Sequence, residues 1–269
     1  MVDLHKDAIE VLRQTSRTFF IPISRLPAEL KEAVAASYLC MRAIDEIEDH
    51  PRLPSEPKVS LLRSIGKILR KPFNDQELAT VLQPYKNFLP EVTLRMADWV
   101  KMIPSAIQQN ILRSTATMAE GMAEWVSKKW NVHTKEELDQ YTYYVAGLVG
   151  VLLNDLWKWY DGTDADQDLA VAYGRGLQAV NILRNREEDL SRGVDFFPDG
   201  WGVDEMFAYA RHHLAQADIY TDSIQSPPVL DFCKIPLVLA HGTLQAMEEG
   251  AEKLSRAEVT QLVEKATGE

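Results

Sequence analysis

Two acidic stretches, Asp45-Glu46-Ile47-Glu48-Asp49 and Asn185-Arg186-Glu187-Glu188-Asp189, combine residue types and spacing suited to metal-assisted chemistry on an anion. Each closes an apolar run entered through arginine: Tyr38-Leu39-Cys40-Met41-Arg42-Ala43-Ile44 before the first, and Gln178-Ala179-Val180-Asn181-Ile182-Leu183-Arg184 before the second. Helical positions four apart share a face, so Asp45 and Asp49 project together with Glu48 close beside them. Like charges so placed destabilise a bare helix, and carboxylates at its C-terminal end oppose the dipole. Hard oxygen ligands on one face are, however, what Mg²⁺ takes, with waters and substrate phosphates as its remaining ligands. In the second stretch Gln178, Asn181, Asn185 and Asp189 form a stripe at spacings of 3, 4 and 4. Burying that stripe within an apolar helix is costly unless a metal or ligand satisfies its oxygens. Asn185 places an amide where a second carboxylate is expected. A solvated charged face is the competing reading for either stretch alone. The pairing of the two, with Ser16, Arg17 and Arg42 as phosphate donors, favours a site for a metal-complexed diphosphate.

The elements that carry these residues read as helices. Apolar residues recur at the helical period over about 4–14, 27–49, 57–71, 75–84, 90–129, 134–160, 164–191, 202–225 and 229–264, and alternating strand patterns are scarce. Turn-rich breaks lie at 50–57, 161–163, 198–200 and 226–228. Pro104 and Pro236 are expected to kink or split the runs that contain them. No break is long enough for a linker, so a single all-α domain over 1–269 is expected, with the two acidic helices facing each other across a bundle. Gly147 and Gly150, with Ala146, cost helix stability, roughly 1 kcal/mol per glycine relative to alanine. They either let a neighbouring helix approach closely or open an apolar cavity.

Of the 269 residues, 46% are hydrophobic and 26% charged, and the net charge is −11. That balance argues against a nucleic-acid partner, which requires a basic surface. Cys40 and Cys233 are too few for a disulfide framework and read as buried thiols of a cytoplasmic protein. The amino-terminal residues lack a signal peptide's basic and apolar regions, and no apolar run approaches the roughly 18–20 residues of a spanning helix. At most peripheral membrane contact is expected.

An ordered set of segments resembles the squalene/phytoene synthases, the head-to-head prenyl diphosphate synthases of the isoprenoid synthase fold. The set comprises Ser16-Arg17-Thr18-Phe19, Tyr38 through Asp49, Gly121-Met122-Ala123-Glu124, Tyr141 through Gly150, Leu177 through Arg184, Phe196-Phe197-Pro198 and Phe232-Cys233-Lys234-Ile235-Pro236. The resemblance implies an isoprenoid synthase-type helical bundle with a central apolar cavity. It implies Mg²⁺ at Asp45, Glu48 and Asp49, and at Asn181, Asn185, Glu188 and Asp189. Ser16, Arg17 and Arg42 would grip a diphosphate, with Gln178 and Arg184 beside the other acidic helix. Tyr38 and Tyr141, together with Arg42, would act at the departing diphosphate. Phe19, Val145, Gly147, Val149 and Leu153 would hold a prenyl tail.

The chain departs from the family pattern at Asn185, at the arginine displaced to Arg192 before Phe196-Phe197-Pro198, and at a tyrosine missing from 237–250. These departures lead to the expectation of a Mg²⁺-dependent enzyme that hydrolyses farnesyl diphosphate to farnesol. The alternative is head-to-head condensation of two farnesyl diphosphates to presqualene diphosphate, dehydrosqualene or squalene. A non-catalytic prenyl-lipid binder is a third reading.

Overall fold

The computed structural model describes residues 4–251 and 253–268, with the Arg17 side chain outside the described set. Among the described residues every regular element is helical. The chain forms two compact units, one of residues 1–20 and 27–129, the other of residues 21–26 and 130–269.

The first unit is built from α1 (Leu4–Thr15), the start of α2 (Arg17–Arg25), α3 (Ala28–Glu48), α4 (Ser55–Leu69), α5 (Asp75–Leu82), α6 (Glu91–Leu94), α7 (Met96–Met102) and α8 (Ser105–Ser127). Helix α3 runs through its middle, packed by α1, α4, α6, α7 and α8. Its small residues Ala33, Ala35, Ala36 and Ser37 are all buried, which lets the surrounding helices close on it. Helix α4 packs on α8 and buries Leu61, Leu62 and Ile65, all at most 2% exposed. Pro104 ends α7 and sits as N-cap of α8, so the expected split occurs where its ring cannot continue the helix.

The second unit holds α9 (Lys135–Thr142), α10 (Leu148–Asp161), α11 (Gln167–Ser191), α12 (Val203–Ser223), α13 (Pro227–Glu248) and α14 (Arg256–Thr267). A π-helical turn, Tyr143–Gly147, joins α9 to α10. Helix α11 starts on an Asp166 cap whose carboxylate accepts from the Asp168 and Leu169 amides. It packs against α10, α12 and α13. A Cβ on Gly174 would lie 2.2 Å from the Ala146 carbonyl oxygen, and one on Gly150 would lie 2.0 Å from that of Ala170. These reciprocal approaches resolve the two readings of the small residues: they seat α10 and the π turn backbone-to-backbone against α11. Gly147 likewise faces Val171, 3.0 Å from where its Cβ would stand, so it serves this seam rather than opening space for a prenyl tail.

The last long run divides at Gly250, in the left-handed region at φ 87°, and α13 continues through Pro236 without a break. Helix α2, which carries Pro22 inside it, lies outside the helical runs expected from periodicity. Cys40 and Cys233 are free and buried, as expected. Among the described residues no helix is long and apolar enough to cross a membrane.

Candidate active site

From Tyr38 to Asp49 every residue of α3 and its cap is buried except Tyr38, Arg42, Asp45, Glu46 and Asp49. The spacings of 4, 3 and 4 from Tyr38 through Arg42 and Asp45 to Asp49 place a single polar stripe on an otherwise buried helix. The Arg42 guanidinium donates to Asp45 Oδ2 and to Glu46 Oε1, both at 2.5 Å. Burial opposes its charge, but those two carboxylates more than offset that cost and raise its pKa. The Asp45 carboxyl is pushed up to about 7, first by burial and then by the Asp49 charge, against the pull of Arg42.

Ser16 and Tyr38 complete this group. The buried Ser16 hydroxyl caps α2 by accepting from the Phe19 amide at 3.1 Å. Tyr38 bonds to Ser16, and burial raises its phenol pKa, so the group stays protonated as a donor. The Phe19 ring stands 6.1 Å from the Tyr38 ring. Four expected residues, Ser16, Tyr38, Arg42 and Asp45, are therefore brought together with Asp49. Glu48 is the correction: it is 4% exposed and off the polar stripe, because one residue before Asp49 turns it toward the buried side of α3.

The second stretch is organised differently. Arg184 Nη2 donates to Asn181 Oδ1 at 2.5 Å, and Asn185 Nδ2 donates to the same oxygen at 3.2 Å. Gln178, Asn181 and Asn185 are half-buried along one stripe, while Glu188 is exposed. Asp189 is 6% exposed and bonded by Arg192, and burial raises its carboxyl pKa. The displaced arginine thus serves the acidic residue one turn behind it. Arg184 is committed to amides of its own helix. Tyr141 is buried and stacks on Phe196 with ring centroids 4.5 Å apart. Val145 is half-buried in the π turn.

A family profile for squalene/phytoene synthase matches residues 12–201, about seven-tenths of the chain and the span that contains both stretches. The chain belongs to the squalene/phytoene synthase family. It is similar to squalene synthase of Homo sapiens, 29% identical across 97% of this chain and 69% of that protein. The solved complex of TcSQS with the ligand BPH1237 superposes with a TM-score of 0.81, at 25% identity over 97% of this chain and 86% of that one. A dehydrosqualene synthase solved with a ligand shares the fold, with a TM-score of 0.61 at 19% identity over 99% of this chain and 97% of that one.

Some of the partners have a signal in the sequence and others none. Glu46, four after Arg42, and Arg192, three after Asp189, stand at the spacing of a helical ion pair. Arg186 carried none: it pairs with Asp195 at 3.1 Å and lies 3.8 Å from the Phe197 ring centroid, partners that a turn brings back to it. Lys58 also gave no signal, yet it is 6% exposed and donates to the Glu48 carbonyl at the end of α3.

Proposed function

We propose that the chain joins two prenyl diphosphates head to head. Two farnesyl diphosphates would be its substrates and presqualene diphosphate, dehydrosqualene or squalene its product. The observation that carries this reading is 29% identity to human squalene synthase across 97% of the chain. The hydrolysis expected from Asn185 is not supported by these relatives, which are synthases, and condensation takes its place. The amide at 185 is accommodated within a hydrogen-bonded trio with Asn181 and Arg184.

The first stretch fits Mg²⁺. Asp45 and Asp49 are hard oxygen donors close enough to raise the Asp45 pKa, a repulsion that a divalent cation relieves. Among the described residues no group of three or more His, Cys, Asp or Glu is arranged to hold a metal ion, so Asp45 and Asp49 alone would be the protein's share of the ligands. Partial protein ligation suits Mg²⁺, which takes its other ligands from water and substrate phosphate. When bound, Mg²⁺ supplies charge that stabilises the departing diphosphate.

The protein's own groups do the rest. Tyr38, kept protonated by burial and oriented by Ser16, donates to a diphosphate oxygen. Arg42, shared between Asp45 and Glu46, holds both carboxylates in place and adds positive charge. Cleavage of the first C–O bond leaves an allylic cation and diphosphate. The double bond of the second substrate attacks that cation, and loss of a proton closes the cyclopropane of presqualene diphosphate. A second ionisation releases the other diphosphate. Proton loss then gives dehydrosqualene, and hydride from a reduced nicotinamide gives squalene.

Purified protein incubated with Mg²⁺ and farnesyl diphosphate, followed by lipid extraction, tests the reading. A C30 product is expected, and farnesol as the main product would overturn condensation in favour of hydrolysis. Repeating the incubation with reduced nicotinamide separates squalene from dehydrosqualene.

A further inference from the structure

We infer that Lys58 is a positioning residue for the first acidic stretch, acting through the end of α3. Lys58 opens the buried face of α4 that continues through Leu61, Leu62 and Ile65. At 6% exposure its ammonium lies deep, and its Nζ donates to the Glu48 main-chain carbonyl. Carbonyls in the last turn of a helix have no N–H donor within that helix, so the Lys58 ammonium supplies one from outside it. The terminus is the one that carries Asp45 and Asp49, whose helical geometry continues to the Asp49 amide, bonded to the Asp45 carbonyl at 2.9 Å. Thr93, fully buried on α6, donates to the Ala43 carbonyl at 2.8 Å and tethers the same helix from another side.

Packing alone does not call for a lysine here. A buried ammonium carries a desolvation cost that an aliphatic side chain avoids, and such replacements are often neutral or stabilising. The helix terminus does call for it: a cation is favoured where the carbonyls of a last turn converge, and Lys58 brings one to the Glu48 carbonyl. Lys58 therefore holds the stretch in register.

This inference rests on the proposed role of Asp45 and Asp49 in metal binding, and the experiment separates the two. Mn²⁺ binding to the full chain is titrated by electron paramagnetic resonance, with and without inorganic pyrophosphate, for wild type, Asp45→Ala, Lys58→Met and Lys58→Gln. Thermal unfolding is measured alongside. Lys58→Met and Lys58→Gln are expected to weaken Mn²⁺ binding about tenfold, the lower end of what losing a group that orients metal ligands costs. Their unfolding midpoints should stay near that of wild type, which a merely structural lysine would not combine with lost affinity. If Lys58→Met does not fold, Lys58→Gln carries the comparison. Binding within twofold of wild type in the folded Lys58 variants overturns the role of Lys58 while leaving the metal assignment standing. Unchanged binding in Asp45→Ala overturns the metal assignment and this inference with it.

Discussion

The Asn185 side-chain amide donates to Asn181 Oδ1, one turn earlier on the same helix, at 3.2 Å. An aspartate at 185 has no donor for that oxygen, so the pair would repel and Arg184 would move toward the new carboxylate. Loss of this half-exposed bond should cost about 1 kcal/mol. The gain is a hard anionic ligand in the second stretch. Asn185→Asp is expected to raise C30 product formation severalfold at low Mg²⁺, measured by product extraction across a Mg²⁺ series. An unchanged Mg²⁺ dependence would remove position 185 from metal handling.

Asp45 gives the opposite trade between stability and activity. Its carboxyl is pushed up to about 7 by burial and by Asp49, so it strains the metal-free fold. Asp45→Asn keeps the shape and removes the charge, while Arg42 retains Glu46. The metal-free variant should unfold at the wild-type midpoint or above it. Turnover should fall roughly 100-fold or more, since charge stabilisation of the leaving group is worth several kcal/mol. Near-wild-type turnover would remove this carboxylate from the mechanism.

Gly174→Ala tests the seam between α10 and α11. Alanine gains about 1 kcal/mol of helix propensity, but its Cβ would stand 2.2 Å from the Ala146 carbonyl oxygen, a backbone atom that cannot swing aside. A net loss of about 2–4 kcal/mol is expected. Urea unfolding at neutral pH checks it, and a stabilised variant would mean that the helices do not meet at this distance.

His213 makes the fold acid-sensitive. Its pKa is held down to about 4, chiefly by burial and further by Arg175 and His212, against the opposite pull of Asp139 and Gln216. The unfolded chain, with a pKa near 6.5, therefore binds more protons than the folded one between about pH 6.5 and 4. The contribution is fully present above pH 6.5 and is lost as pH falls toward 4. It amounts to on the order of 3 kcal/mol. Urea midpoints of wild type at pH 7 and 5 should differ by more than those of His213→Gln, and equal shifts in the two proteins would remove His213 as the cause.

Helical periodicity carried the long elements, α3 and α11 above all, because a repeat of 3.6 residues is written within one turn of chain. It also puts Asp45 and Asp49 on one face of α3, with Arg42 one turn earlier. The same local reasoning failed at α2, which carries Pro22 inside it, and at Glu48, where one residue of offset turns a carboxylate from the polar stripe to the buried side. It left Gly147 and Gly150 open between a seam and a cavity, because nothing in their own segment records that Ala170 and Val171 lie against them.

By itself, then, the sequence determined that this is a helical chain with two arginine-entered acidic stretches of the squalene/phytoene synthase pattern. Tertiary structure decided what local pairing cannot: Arg186 is engaged by Asp195 and the Phe197 ring, and the Glu48 carbonyl by a buried Lys58. The physical reason is reach. Periodicity and helix pairs act over three or four residues, whereas desolvation of Lys58 and the partners of Arg186 depend on chain segments about ten residues away, set beside them only by folding.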